Sequence, residues 1–136
     1  MNLNEYSELA HKNAKEKGFY EVEDSIINFG VGTREGDLID HTFFAQKIAL
    51  IHSELSEAIE ADRHGKKAIM ENIDFANGDF KIAFEQNIKD TVEDEIADTF
   101  IRLFDLCGRY NIDIEFFVNQ KMKYNSLREK MHNKKY

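Results

Sequence analysis

The chain contains no proline, and its seven glycines stand apart from the periodic segments or near their ends. Proline breaks helix interiors and glycine weakens them, so their placement leaves long stretches free to coil. Gly18, Gly65 and Gly108 each follow or fall near the end of an apolar-periodic segment, where a helix-terminating glycine belongs. The reading is an all-α fold. A first helix is expected from about Asn4 to Lys17, with Tyr6, Leu9, Ala10 and Ala14 facing inward. Residues 19–40 lack helical period and read as a long irregular connection. Within it, Gly30-Val31-Gly32 is too short to mark a phosphate loop. A second helix is expected from Asp40, as N-cap, to about His64. Residues 66–89 are mixed, with a break at Asn77-Gly78 and a short helix after Asp79. A third helix begins near Asp90, where Asp90 and Glu93 have capping-box spacing, and ends by Gly108 or Asn111. Asp113 caps a fourth, reaching about Met131. Four main helices joined through two long connections make a four-helix-bundle-like architecture, and 136 residues suit a single domain, 1–136.

Two stretches of this pattern nearly repeat. Glu54-Leu55-Ser56-Glu57-Ala58-Ile59 and Glu95-Ile96-Ala97-Asp98-Thr99-Phe100 both read acid, aliphatic, small, acid, small, apolar. An i,i+3 spacing puts the two acids of each pair on one face, a turn apart. At about 100° per residue, with Glu54 at zero, Phe44, Ile48, Ile51, Leu55, Ala58 and Ile59 fall between roughly 40° and 140°. With Glu95 at zero, Val92, Ile96, Thr99, Phe100, Leu103, Leu106 and Cys107 occupy roughly the same arc. Each acid pair thus borders the same edge of an apolar stripe, and packing the stripes together makes the four acids rim one cleft. Ordinary solvated acids are the plainer reading of either pair alone. The matched phase, and the lack of a lysine four residues after Glu54, Glu57 or Glu95, favour a metal site. Asp98 does have Arg102 at i+4, a spacing that suits an intrahelical pair.

Four carboxylates with no sulfur or imidazole among them suit Mg²⁺, with Mn²⁺ as substitute, rather than zinc. Helical bundles also host di-iron centres, marked by two Glu-x-x-His motifs. The two present, Glu8-x-x-His11 and Glu129-x-x-His132, read as accidental: Glu8 and His11 lie roughly opposite the first helix's apolar residues, and the second motif sits in a charged terminal turn. His52 and His64 read as surface or supporting residues. Cys107, the one cysteine, falls on the apolar arc and reads as core filler.

Charge narrows the functional classes. The net charge of -8 argues against general nucleic-acid binding, which needs a positive face. Residues 121–136 nevertheless carry six Lys or Arg against one Glu. That basic end suits either a phosphorylated substrate or a solvated helix terminus whose dipole favours cations. On the fourth helix, the face that begins with Ile114, Phe117 and Val118 continues as Lys121, Asn125 and Arg128. It either leaves the core or aims donors into a cleft. No apolar run approaches the roughly 18 residues of a membrane span. No secretory signal is visible at the N-terminus, and a cytoplasmic location is expected.

Glu54-x-x-Glu57, then Glu95-x-x-Asp98, then Lys121-x-x-x-Asn125-x-x-Arg128 resembles the MazG-like all-α nucleoside triphosphate pyrophosphohydrolases. Relatives in that superfamily include dimeric dUTPases and dCTP pyrophosphatases. The resemblance implies a MazG-type fold and Mg²⁺-dependent hydrolysis of a nucleoside triphosphate to the monophosphate and pyrophosphate. It implies that Glu54, Glu57, Glu95 and Asp98 hold metal and that Lys121, Asn125 and Arg128 contact phosphates or sugar. It also implies a homodimer or homotetramer with sites completed across subunits. Water attacks the α-phosphorus in that chemistry, with Glu54 or Glu57 as the acceptor of its proton. Relatives often build the base pocket with tryptophan, which this chain lacks; Phe19, Tyr20, Phe29 and Tyr124 are the aromatic substitutes. Residues 58–94, between the two acid pairs, exceed what a tight helix hairpin needs. Two other readings stand beside this one: a non-catalytic helical metal-binding or interaction protein, and a phosphohydrolase acting on a non-nucleotide pyrophosphate.

Overall fold

A computed structural model describes residues 1–71 and 78–127. Among them are six helices: α1 (Leu3–Glu16), α2 (Glu21–Phe29), α3 (Arg34–Arg63), α4 (Phe80–Asn87), α5 (Val92–Arg109) and α6 (Ile114–Ser126). No strand occurs among the described residues. The all-α reading is therefore correct. Helix α5 is the centre of the packing, with α1 against it and α3 alongside; α2 leans on α3, and α6 on α1.

Side-chain caps fix most of the starts. Asn2 and Glu5 form a capping box on α1. Thr33, Asp79, Thr91 and Asp113 each accept a hydrogen bond from a backbone N–H in the first turn of α3, α4, α5 and α6 respectively. Three of the helices stop in the same way. Gly18, Gly65 and Asn111 take positive φ after α1, α3 and α5. The next residue's N–H then reaches back to Ala14, Ala61 and Cys107, the Schellman arrangement.

The connection expected over residues 19–40 is instead α2, a tight turn and the first two turns of α3. Thr33 rather than Asp40 caps α3, and Asp40 lies inside the helix, where Tyr110 Oη donates to its Oδ1 at 3.3 Å. Gly36 sits in the first turn of α3, against Gly30: a Cβ there would lie 2.1 Å from the Gly30 carbonyl oxygen. Asp90 is not a cap. It has φ 59°, its N–H donates to Asp94, and Thr91 is the N-cap of α5. Gly108 is not a terminator either. It lies within α5 where α1 crosses, and a Cβ there would meet the Ser7 carbonyl oxygen and His11 Cβ, each at 2.6 Å. The expected extension of α6 to Met131, and the break at Asn77, lie outside the described residues.

A polar network ties α1, α2 and α5 together. Asp105 accepts from Tyr20 Oη at 2.7 Å and bonds His11 Nδ1 at 2.8 Å. Glu23 is buried between Lys47 and Arg109, whose cations also lie over the Tyr20 ring. Charges this buried hold only because each has an opposite partner. Burial and the bond to Asp105 push the Tyr20 hydroxyl's pKa far above its ordinary value. Cys107 is buried, as expected, and burial raises its thiol's pKa.

The apolar stripes are the main correction. Ile51, Leu106 and Cys107 are buried, but Phe44, Leu55, Ile59, Ile96, Phe100 and Leu103 are 37–57% exposed. On α1, Tyr6 and Leu9 are also exposed, and Ser7 is the buried residue. Besides Ile51 and Leu106, the residues that α3 and α5 bury are small ones and the first acid of each pair. Much of each apolar arc is left facing outward in the single chain.

Candidate metal centre

Helices α3 and α5 run against each other over the segments that carry the repeated acid motif. The contact buries Glu54 from α3 and Glu95 from α5, with Thr99 beside them; Asp98 is half-buried. One carboxylate oxygen from each of Glu54, Glu95 and Asp98 lies within 4.8 Å of the others. Three of the four acids read from the sequence therefore converge. Glu57 is exposed and outside this tightest group. Its charge still reaches the site, for it is the strongest charge acting on Glu95.

The electrostatics follow from crowding. Burial, then Glu57, Asp94, Glu54 and Asp98, raise the pKa of the Glu95 carboxyl above the ordinary value. Asp98 is raised by burial first, then by Asp94 and Glu54; Arg102 opposes them. No hydrogen bond or ion pair among the described residues reaches the carboxylate of Glu95, Asp98 or Glu57. Of the motif acids, Glu54 alone has a direct partner among the described residues: Arg102 Nε donates to its Oε1 at 2.7 Å. The i+4 spacing had suggested Asp98 as the partner of Arg102, and the hydrogen bond instead crosses from α5 to α3.

Asp94 went unrecognised in the sequence. With Asp90 and Glu95 it forms a second, more exposed acidic group. The run Glu93-Asp94-Glu95 is also what the positive end of a helix dipole favours, so it carried no distinct signal. Asp94 accepts from the Asp90 N–H at 2.9 Å, which commits it partly to the turn before α5.

The donors expected from the fourth helix are elsewhere in the single chain. Lys121 and Asn125 are exposed on α6, which packs against α1, and neither bonds to the acids. Lys121 Nζ instead lies 5.1 Å from the centroid of the Tyr124 ring. Arg128 lies outside the described residues, as do Glu129 and His132. Glu8 is exposed and His11 is held by Asp105, so Glu8-x-x-His11 is no ligand pair. His52 and His64 are exposed.

The donor set fits a hard divalent cation. All converging atoms are carboxylate oxygens, two of the residues are buried, and among the described residues only Glu54 has an ion-pair partner. No helix among the described residues is long and apolar enough to cross a membrane. No family model, curated protein or solved structure matches the chain.

Proposed function

We propose that the chain is a divalent-cation-dependent nucleoside triphosphate pyrophosphohydrolase of the MazG-like type. The observation that carries the reading is the Glu95 carboxylate. It is buried, has no donor among the described residues, and faces the charges of Glu57, Glu54 and Asp98. A buried anion among anions is costly unless a cation joins it. Glu54, Glu57, Glu95 and Asp98 are the residues that would hold Mg²⁺, with Mn²⁺ as substitute. When bound there, the cation offsets the charge of the triphosphate and polarises its phosphoryl oxygens.

The residues of the chain divide the remaining work. Arg102 fixes Glu54 against α5. Glu57, one turn further along α3, is exposed and bonds no other group among the described residues, which suits a carboxylate at the cation's edge that accepts the water's proton. The water oxygen bonds to the α-phosphorus, the bond from that phosphorus to the bridging oxygen breaks, and pyrophosphate leaves. Lys121, Asn125 and Arg128 supply phosphate and sugar contacts. A second copy supplies them in this reading, because Lys121 and Asn125 of the same chain are exposed and bond none of the acids among the described residues. The exposed apolar residues of α3 and α5 support that assembly. Phe44, Leu55, Ile59, Ile96, Phe100 and Leu103 form the kind of surface that a homodimer or homotetramer covers.

The test is a panel of the common nucleoside and deoxynucleoside triphosphates with Mg²⁺, reading pyrophosphate and orthophosphate separately. Pyrophosphate release is expected, reduced by about 10²–10³-fold in Glu57→Gln and Asp98→Asn with far-UV circular dichroism unchanged. Release from no nucleotide overturns the proposal. Cation binding without turnover would then favour a non-catalytic metal-binding protein.

A further inference from the structure

A cavity of about 530 Å³ opens between α1, α2, α3 and α5, and Asp98 and Arg102 are part of its wall. It is therefore continuous with the acid cluster. Its size falls within the range of small-molecule sites. Most charges in the wall are already matched within the protein. Lys47 pairs with Glu23, Arg102 with Glu54, and Asp105 with Tyr20 and His11. Of the charged wall residues, only exposed Lys17, and Asp98 from the acid cluster, lack a side-chain hydrogen-bond or ion-pair partner among the described residues. A wall so neutralised suits the uncharged part of a ligand, while the phosphates belong at the Asp98 end.

Two further features describe that uncharged part. Phe19, in the turn between α1 and α2, lines the cavity and is 75% exposed, and Leu50 and Ile101 add apolar surface. A flat ring gains from burial against such a wall. The side-chain amides of Asn13 and Gln46 also line the cavity, and neither bonds another protein group among the described residues. Each amide offers both donors and an acceptor, the complement of a heterocycle's hydrogen-bonding edge.

We propose that this cavity takes the nucleobase of the triphosphate. In it, Asn13 and Gln46 read the edge of the base and Phe19 covers its face. The inference rests on the pyrophosphohydrolase reading above and adds what determines specificity. Base choice and phosphate chemistry are thereby carried by different elements: the first by α1, the following turn and the middle of α3, the second by the acid segments of α3 and α5.

The experiment compares kcat/KM for pyrophosphate release across the common nucleotides in the unsubstituted chain, Asn13→Ala, Gln46→Ala and Phe19→Ala. The two amide residues are exposed, so the fold is expected to survive, with circular dichroism as the check. Loss of an amide contact is expected to change the ratio between best and worst base by about tenfold. Phe19→Ala is expected to raise KM for every base while keeping kcat. Turnover with no base preference in the unsubstituted chain, or an unaltered preference in both amide variants, overturns this inference alone. No pyrophosphate release from any nucleotide by the unsubstituted chain overturns the enzymatic reading, and this inference with it.

Discussion

Replacing Glu95 by Gln is expected to stabilise the metal-free protein, the reverse of what most buried substitutions do. Glu95 is buried on α5 with carboxylate oxygens of Glu54 and Asp98 within 4.8 Å. Two unit charges 4.8 Å apart repel by about 3.5 kcal/mol at an effective dielectric constant of about 20. Arg102 already offsets Glu54 and half-buried Asp98 is partly screened, so removal of one charge is expected to return about 1–3 kcal/mol. For a chain of this size that is a rise in melting temperature of about 4–12 °C. The sign with pH follows from the raised pKa of Glu95. The folded state binds that proton more tightly than the unfolded state, so stability falls as pH rises from the ordinary value of 4.5 through the folded value. The advantage of Glu95→Gln is therefore absent below that window and complete above it. Magnesium ions should favour the wild type over the variant. At a hundred times the dissociation constant a cation adds about 2.7 kcal/mol to the wild type, and the variant should gain much less. Thermal melts of both proteins from pH 4 to pH 8, with and without Mg²⁺, provide the measurement. Equal melting temperatures throughout, with equal responses to the cation, would refute the argument that Glu95 is a strained anion awaiting a cation.

Gly108→Ala is expected to destabilise by about 1–3 kcal/mol in urea denaturation, because its Cβ would press on Ser7 and His11 of α1. A gain of about 1 kcal/mol, as helix propensity alone would give, would show that α1 does not cross there. Phe100→Glu, on the exposed stripe of α5, is expected to shift sedimentation from oligomer towards monomer and to reduce turnover. An oligomer of unchanged size would place the subunit contact elsewhere. Tyr20→Phe removes the hydroxyl that donates to Asp105 and is expected to cost about 1–3 kcal/mol, read by the same denaturation. No loss would mean that the bond does not hold α2 to α5.

Much of this fold was legible because the signals were local. Caps such as Asp79 and Asp113 and the glycine after α1 act within a turn of their own position. Helix α2 was hidden because its nine residues are too few for a clear period, and the residue it buries is Glu23. Gly108 misled for another reason: a terminator and a point of close helix approach ask for the same residue, and only the neighbouring helix separates them. The acid motif was found by phase, and Glu54, Glu95 and Asp98 do converge. The phase did not tell which side of the apolar stripe meets the other helix. Amphipathicity specifies that a face is covered, and it does not say whether the cover is the same chain or another. Phase alone therefore did not foretell that Leu55 and Phe100 face outward. The partner of Arg102 was missed because i+4 spacing describes a reach along one helix, whereas its hydrogen bond runs across to Glu54.

The most direct test of the central claim is where solvent oxygen goes. Hydrolysis of a nucleoside triphosphate by this chain with Mg²⁺ in ¹⁸O-labelled water, followed by phosphorus NMR, locates the attacked atom. Attack at the α-phosphorus puts the label in the nucleoside monophosphate and leaves pyrophosphate unlabelled, with turnover reduced by about 10²–10³-fold in Asp98→Asn. Label in pyrophosphate or orthophosphate, or equal turnover in the Asp98→Asn protein, would contradict the account.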